Sequence, residues 1–258
     1  MLKVIINTLR AEWTKLRTTK SFYWTTGLIF LLSFLWALFN GLNAEMDPAM
    51  PISPLTAEGM NSILLMLGIP IIMIQAIMIV TTEYRFGLQS TVFMANPNRS
   101  IVALVKLLMY AVIAAVILFL ALVLIYFVSD LSASKEIADI YKPFEEDGGK
   151  RALWLLPLLG FMVVIFVQGL GWLLRQTAGT VALSLILYLG IENVVRLLPK
   201  VGDDLIPYMP FSAFGNWASD TVPENVPWDS SAGSAIVFIV WAVALWILGV
   251  FVLEKRDA

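Results

Sequence analysis

Five stretches of the chain, each 23 or 24 residues long, contain no Asp, Glu, Lys or Arg: 21–44, 59–82, 107–129, 152–174 and 230–253. A hydrocarbon core of about 30 Å is crossed by about 20 apolar residues in a helix, so each stretch is long enough to span a bilayer. A sixth run, 176–191, has 16 residues and is separated from the fourth by Arg175 alone. A single tilted helix over 152–191 would hold that arginine in mid-bilayer at a cost of roughly 2.5–3.5 kcal/mol. A helical hairpin turning at Arg175 is the better solution, and the expected spans are then about 21–44, 59–82, 107–129, 152–174, 176–195 and 230–253.

Backbone polar groups find no partner in lipid, so a spanning segment is a helix or a strand of a closed barrel. Barrel strands alternate polar and apolar residues, and the unbroken apolar run 112–122 does not. The expected fold is an all-α membrane protein of six transmembrane helices, a single domain over 1–258. Composition narrows its chemistry. Hydrophobic residues make up 59% of the chain and charged ones 14%, with neither Cys nor His, which removes disulfides, thiolate chemistry, His-ligated metals and His-dependent triads. A net charge of −2 argues against nucleic acid as a partner.

Charge asymmetry sets the expected orientation. With both termini inside, the inner segments carry Lys3, Arg10, Lys15, Arg17, Lys20, Arg85, Arg99, Lys106, Arg175, Lys255 and Arg256, against Glu12, Glu83, Glu254 and Asp257. The outer segments 45–58, 130–151 and 196–229, with Glu192 at the outer end of the sixth span, hold the remaining six basic and fifteen acidic residues. Lys and Arg enrichment near span ends marks the cytoplasmic side. No cleavable signal peptide is expected, because the first apolar run is full length and follows 20 polar or amphipathic residues.

Several segments between the spans carry patterns of their own. In 1–20, Leu2, Ile5, Ile6, Leu9, Trp13 and Leu16 form one helical stripe, edged by Lys3, Arg10 and Arg17. This predicts a helix lying in the inner interface, basic side chains toward anionic headgroups; docking on a soluble partner is the alternative. The inner loop 83–106 exceeds what a simple connection needs, and 82–95 is expected to be one helix ending before the turn signal Asn96-Pro97-Asn98. Glu83 and Arg85 in it are candidates for a contact, or simply anchor the end of the span. In 130–151 the patch Glu145-Glu146-Asp147 reads as a solvated face followed by a Gly148-Gly149 turn. The stretch 205–219, interrupted by Pro207 and Pro210, predicts a short external re-entrant or interfacial element before the last span. Glu192 and Arg196, four apart, can pair on one helical face. Within the spans, Asn61, Gln75 and Gln168 are the conspicuous polar residues: ordinary interhelical hydrogen bonding or a substrate path.

No phosphate-loop motif occurs; Gly148-Gly149-Lys150-Arg151 lacks the first glycine and the hydroxyl residue. No nucleophile elbow, zincin motif or paired acidic metal motif is present either. The chain itself is expected to bind no cofactor and to catalyse no reaction.

Two stretches resemble bacterial type-2 ABC transporter permeases: the opening Glu12-Trp13-Thr14-Lys15-Leu16-Arg17-Thr18-Thr19-Lys20-Ser21, and Thr82-Glu83-Tyr84-Arg85-Phe86-Gly87 followed by Pro97-Asn98-Arg99-Ser100, which is similar to that family's Glu-Tyr-Arg-x-Gly-Thr…Pro-x-Arg. Leu88 stands where Thr is usual, and the outer loop 130–151 is long for the family. The resemblance implies a half-transporter subunit of the bacterial cytoplasmic membrane, paired with a second copy or paralogue and with two cytoplasmic ATPase subunits that hold the ATP and Mg. It implies that Glu83, Tyr84, Arg85, Phe86, Gly87, Asn98 and Arg99 serve the contact with the ATPase. Lys3, Arg10, Trp13, Lys15 and Arg17 would belong to the interfacial helix. Asn61, Gln75 and Gln168 would lie on a path for a hydrophobic or amphipathic cargo, moved outward. The competing functional readings are an integral membrane lipid-processing enzyme and a non-transporting assembly subunit.

Overall fold

The computed structural model describes residues 2–45, 55–198 and 201–255. Of the charges counted for orientation, Asp47, Lys200, Arg256 and Asp257 lie outside the described residues, as does most of the 45–58 loop. Among the described residues every regular element is helical. The chain divides into two compact units, Met1–Thr18 with Met73–Val112 and Phe161–Ala258, and Thr19–Ile72 with Ile113–Gly160.

Helix α1 covers Leu2–Thr18 and α2 covers Lys20–Leu42, separated by Thr19 in an extended conformation. Helix α3 (Ala57–Ile63) opens with the Thr56 side chain accepting from the Gly59 amide at 3.1 Å. It passes through a π-helical turn at Leu64–Gly68 into α4 (Ile69–Arg85). The wide turn lies directly before Pro70, whose ring and missing N–H displace the carbonyl four residues back. Short α5 (Gln89–Ala95) precedes α6 (Arg99–Ser132), α7 (Lys135–Ile140) and α8 (Asp147–Leu174). Then come α9 (Thr177–Tyr188), a 3-10 turn at Ile191–Leu197, α10 (Gly202–Leu205), a 3-10 turn at Ile206–Tyr208, α11 (Pro210–Ala218) and α12 (Ser231–Lys255).

Among the described residues, five helices are long and apolar enough to cross a membrane: Lys20–Leu42, Ala57–Arg85, Arg99–Ser132, Asp147–Leu174 and Ser231–Lys255. The expected sixth span is reached only if α9 and the following 3-10 turn, bent by 54° at their junction, are taken together. Gly190 at φ 101 makes that bend. Alone, the 12 residues of α9 reach about 18 Å, short of a hydrocarbon core of about 30 Å. The helix breaks between α8 and α9 at Arg175, which takes a left-handed φ of 54.

Two local expectations are corrected. The segment 82–95 is two helices, because Gly87 adopts φ 66 and closes α4. The Leu88 amide bonds the Glu83 carbonyl at 2.8 Å and the Gly87 amide bonds that of Tyr84 at 3.2 Å, the paired bonds of a Schellman ending. Gly148 and Gly149 do not form a turn; they lie in the first turn of α8. A Cβ on Gly149 would fall 1.7 Å from the Pro143 carbonyl oxygen, so the glycine serves close packing. Close backbone approach also governs α8 and α12. A Cβ on Gly249 would lie 2.7 Å from the Gly169 carbonyl oxygen, and small residues are what allow such crossings between membrane helices.

Candidate functional site: a buried ring of charge

Helix α1 turns Glu12 and Leu16, one helical turn apart, inward. The end of α4 brings Glu83, and the first third of α6 brings Lys106. Glu12 Oε1 accepts from Lys15 Nζ at 2.6 Å and Glu12 Oε2 from Lys106 Nζ at 2.6 Å. Glu83 Oε1 accepts from both lysines, at 2.7 Å each. The four side chains close a ring of alternating sign, Glu12–Lys15–Glu83–Lys106, with no net charge. Side-chain exposure is 1% for Lys106, 4% for Glu12 and 8% for Glu83, but 45% for Lys15. Burial disfavours the ammonium of Lys15, and the adjacent Glu12 and Glu83 carboxylates more than offset this, so its pKa is raised. Desolvating several charges is tolerated only with good geometry and full pairing, and this ring has both. It ties three elements distant in sequence into one body.

Around the ring, the residues assigned to an ATPase contact divide into two groups. Tyr84 faces inward: its ring meets Trp172 edge-on at 6.3 Å and lies 5.1 Å from the Arg175 guanidinium. Arg99 sits 5.1 Å from the Phe93 ring and donates to the Leu253 carbonyl at 2.9 Å. Arg175 donates to the neighbouring Val252 carbonyl at 3.4 Å. Two arginines thus serve the carbonyl end of α12, where the helix dipole favours cations. Ser100 adds a hydrogen bond to Glu254. Asn98 is a helix cap, its Oδ1 accepting from the Ile101 amide at 3.1 Å. Asn96 joins this turn to α1 through Thr8 Oγ1 at 3.0 Å. Beneath them Val80, Phe93, Val102, Ala103, Trp172, Val250 and Leu253 form an apolar core.

The second group faces outward. Arg85, Phe86 and Gly87 are exposed, and Arg85 lies 5.6 Å from the Phe86 ring. Phe86, Leu88 and Met94 expose 64%, 51% and 76% of their surface, three large apolar side chains between the end of α4 and the end of α5. Leu88 and Met94 escaped the sequence reading, although apolar residues either side of a glycine break were the available signal. Glu12 and Lys106 escaped it as site residues too. Lys106 is the single charge in 101–129, an apolar stretch in which an unpaired lysine would be unstable.

The interfacial set is mostly exposed. Lys3, Arg10 and Arg17 face outward beside Leu2, Ile6, Leu9 and Trp13, whereas Lys15 joins the ring. The three polar span residues are all buried. Asn61 lies in the second unit with its carbonyl oxygen unpartnered, Gln75 accepts from Tyr110, and Gln168 has no hydrogen-bond partner among the described residues. The predicted Glu192–Arg196 pair is replaced by other partners. Glu192 Oε1 accepts from the Phe211 amide at 2.9 Å, and Oε2 from the Ser212 amide and hydroxyl at 2.7 and 2.9 Å. The reason is local: 191–197 is a 3-10 turn, in which residues four apart do not share a face.

These helices define a multi-pass helical membrane protein. The chain matches no protein-family model and no curated protein.

Proposed function

We propose that this chain is the membrane-spanning subunit of an ATP-binding-cassette transporter, exporting a hydrophobic or amphipathic substrate and driven by separate ATPase subunits. The reading starts from the resemblance of 12–21 and 82–100 to type-2 ABC permeases. The observation that supports it most is the buried charge ring, which joins α1, the end of α4 and the start of α6. A chain without a phosphate loop must receive work through a contact. Here the exposed apolar side chains of Phe86, Leu88 and Met94 supply the docking surface, and the ring carries its displacement into the spans. Two discrete packings of the helices then alternate as the ATPase dimer closes and opens.

In this arrangement both termini and α5 lie in the cytoplasm of a bacterium, and 130–151 and 196–229 lie outside. Helix α1 rests in the inner interface with Lys3, Arg10 and Arg17 toward lipid phosphates. The complex holds two such subunits and two ATPases, and the ATP and Mg belong to the ATPases. The test is gentle-detergent purification of the tagged chain from its native membrane with mass spectrometry of its companions. A stoichiometric ABC ATPase is expected, and F86D with M94D should release it while the protein stays folded in the membrane. Reproducible absence of any ATPase from intact preparations would overturn the reading.

A further inference from the structure

Within the unit that contains α9 to α12 lies a cavity of about 630 Å³, between the end of α9, the 3-10 turn after it, α11 and the loop 219–225. That volume falls in the range of small-ligand sites, about 300–1,000 Å³. We propose that this cavity binds a small organic cation: an ammonium group attached to a compact apolar body. The proposal goes beyond the transporter reading and does not depend on it.

Three features carry it. The charge of the lining is lopsided: Glu192, Asp203 and Glu224 against Arg196 among the described residues. Of these acids, Glu192 is 4% exposed and its carboxylate is spent on α11. Asp203 and Glu224 are exposed at the rim and in no ion pair among the described residues. They come from different elements, α10 and the 219–225 loop, so a cation entering between them meets two carboxylates.

The second feature is the wall. Tyr188 and Phe211 both line the cavity, their rings edge-on at 5.5 Å, and the Phe211 amide donates a hydrogen bond to Glu192. Aromatic faces attract ammonium groups and tolerate their alkyl substituents. Third, the exposed side of α11 leaves room. Gly215 lines the cavity, and a Cβ built there meets nothing within 4 Å, unlike the tightly packed Gly169 and Gly249. A glycine on α11 keeps free a space that a side chain would occupy.

The probes are butylammonium and tetramethylammonium, with butyrate and butanol as controls, titrated into the purified full-length protein and followed by ligand-observed NMR. Saturable binding of the two cations, with at least tenfold weaker binding of butyrate and butanol, is expected. D203N with E224Q, both exposed positions, should weaken cation binding at least tenfold and leave thermal stability unchanged. G215W should fill the cavity and abolish binding; a folded G215W protein that binds as the wild type does would overturn the proposal. So would unsaturable binding, or equal affinity in the D203N/E224Q variant. Loss of ATPase co-purification would leave these expectations untouched, and failure of cation binding would leave the transporter reading untouched.

Discussion

Two glutamates of one compact unit are almost fully buried, and their charges are met in opposite ways. Glu83, 6% exposed, is paired with two lysines from two other elements. Glu192, 4% exposed, has no lysine or arginine within ion-pair distance among the described residues; it takes two backbone amides and a hydroxyl at the start of α11, about one helix away in sequence. Full charges from distant elements tie those elements together. Partial charges from a neighbouring helix N-terminus make a local brace that shapes a loop. The difference teaches that burial of a carboxylate does not by itself reveal its task; the origin of its partners does.

The largest expected effect comes from breaking the ring at its most buried member. K106M leaves Glu12 and Glu83 facing only the half-exposed Lys15, and removing one partner of a buried ion pair typically costs about 3–5 kcal/mol. Thermal unfolding in detergent should show the corresponding large drop. Adding E83Q removes the stranded carboxylate, leaves the Glu12–Lys15 pair, and should recover a substantial part of the loss. A double-mutant cycle reads the coupling directly. A K106M protein as stable as wild type would mean that the ring is incidental, and the comparison with Glu192 would collapse.

The local brace should yield less. E192Q keeps one acceptor oxygen for the α11 amides but loses the charge, and hydrogen bonds to a charged group contribute about 1.5–3 kcal/mol. A loss smaller than that of K106M is therefore expected, confined to the neighbourhood of α11. Hydrogen exchange at the Phe211 and Ser212 amides should accelerate while exchange in α1 stays as it was. Acceleration spread over α1 as well would show that the two glutamates belong to one mechanical network.

Much of this contrast was hidden in the sequence for a definable reason. Runs without charge are governed by the thickness of a bilayer, a property of the surroundings, so five spanning helices could be read from spacing alone. The break at Arg175 followed from the same argument. Partner choice obeys no such rule. Glu192 and Arg196 have the spacing of a helical ion pair, but Gly190 turns the backbone into a 3-10 segment and the spacing loses its meaning. The Glu83-Tyr84-Arg85 motif marks Glu83 as a contact residue, but a motif says nothing about depth. Lys106 was counted as a flanking charge, since its partners lie 94 and 23 positions away. Gly87 was visible as a residue, but its closure of α4 depends on a left-handed conformation that a helical hydrophobic pattern does not encode.

The smallest expected effect sharpens the comparison from the exposed side of the ring. Lys15 is 45% exposed, and a partly solvated pair contributes about 0.2–1 kcal/mol. Its pKa is raised in the folded protein, where burial opposes the charge but Glu12 and Glu83 outweigh it. A raised value means that the folded state holds this proton more tightly than the unfolded chain does. The stabilisation is therefore complete below the ordinary lysine value of about 10.4, and it is lost as pH rises through the folded-state value. K15R, whose guanidinium stays charged over that range, removes this titration and nothing else of the charge pattern. Unfolding midpoints of wild type and K15R should run parallel from pH 7 to about 10 and diverge above it, with wild type falling faster. Parallel curves up to about pH 12 would mean that Lys15 hangs on the ring without being part of it, and that the tie rests on Glu12, Lys106 and Glu83 alone.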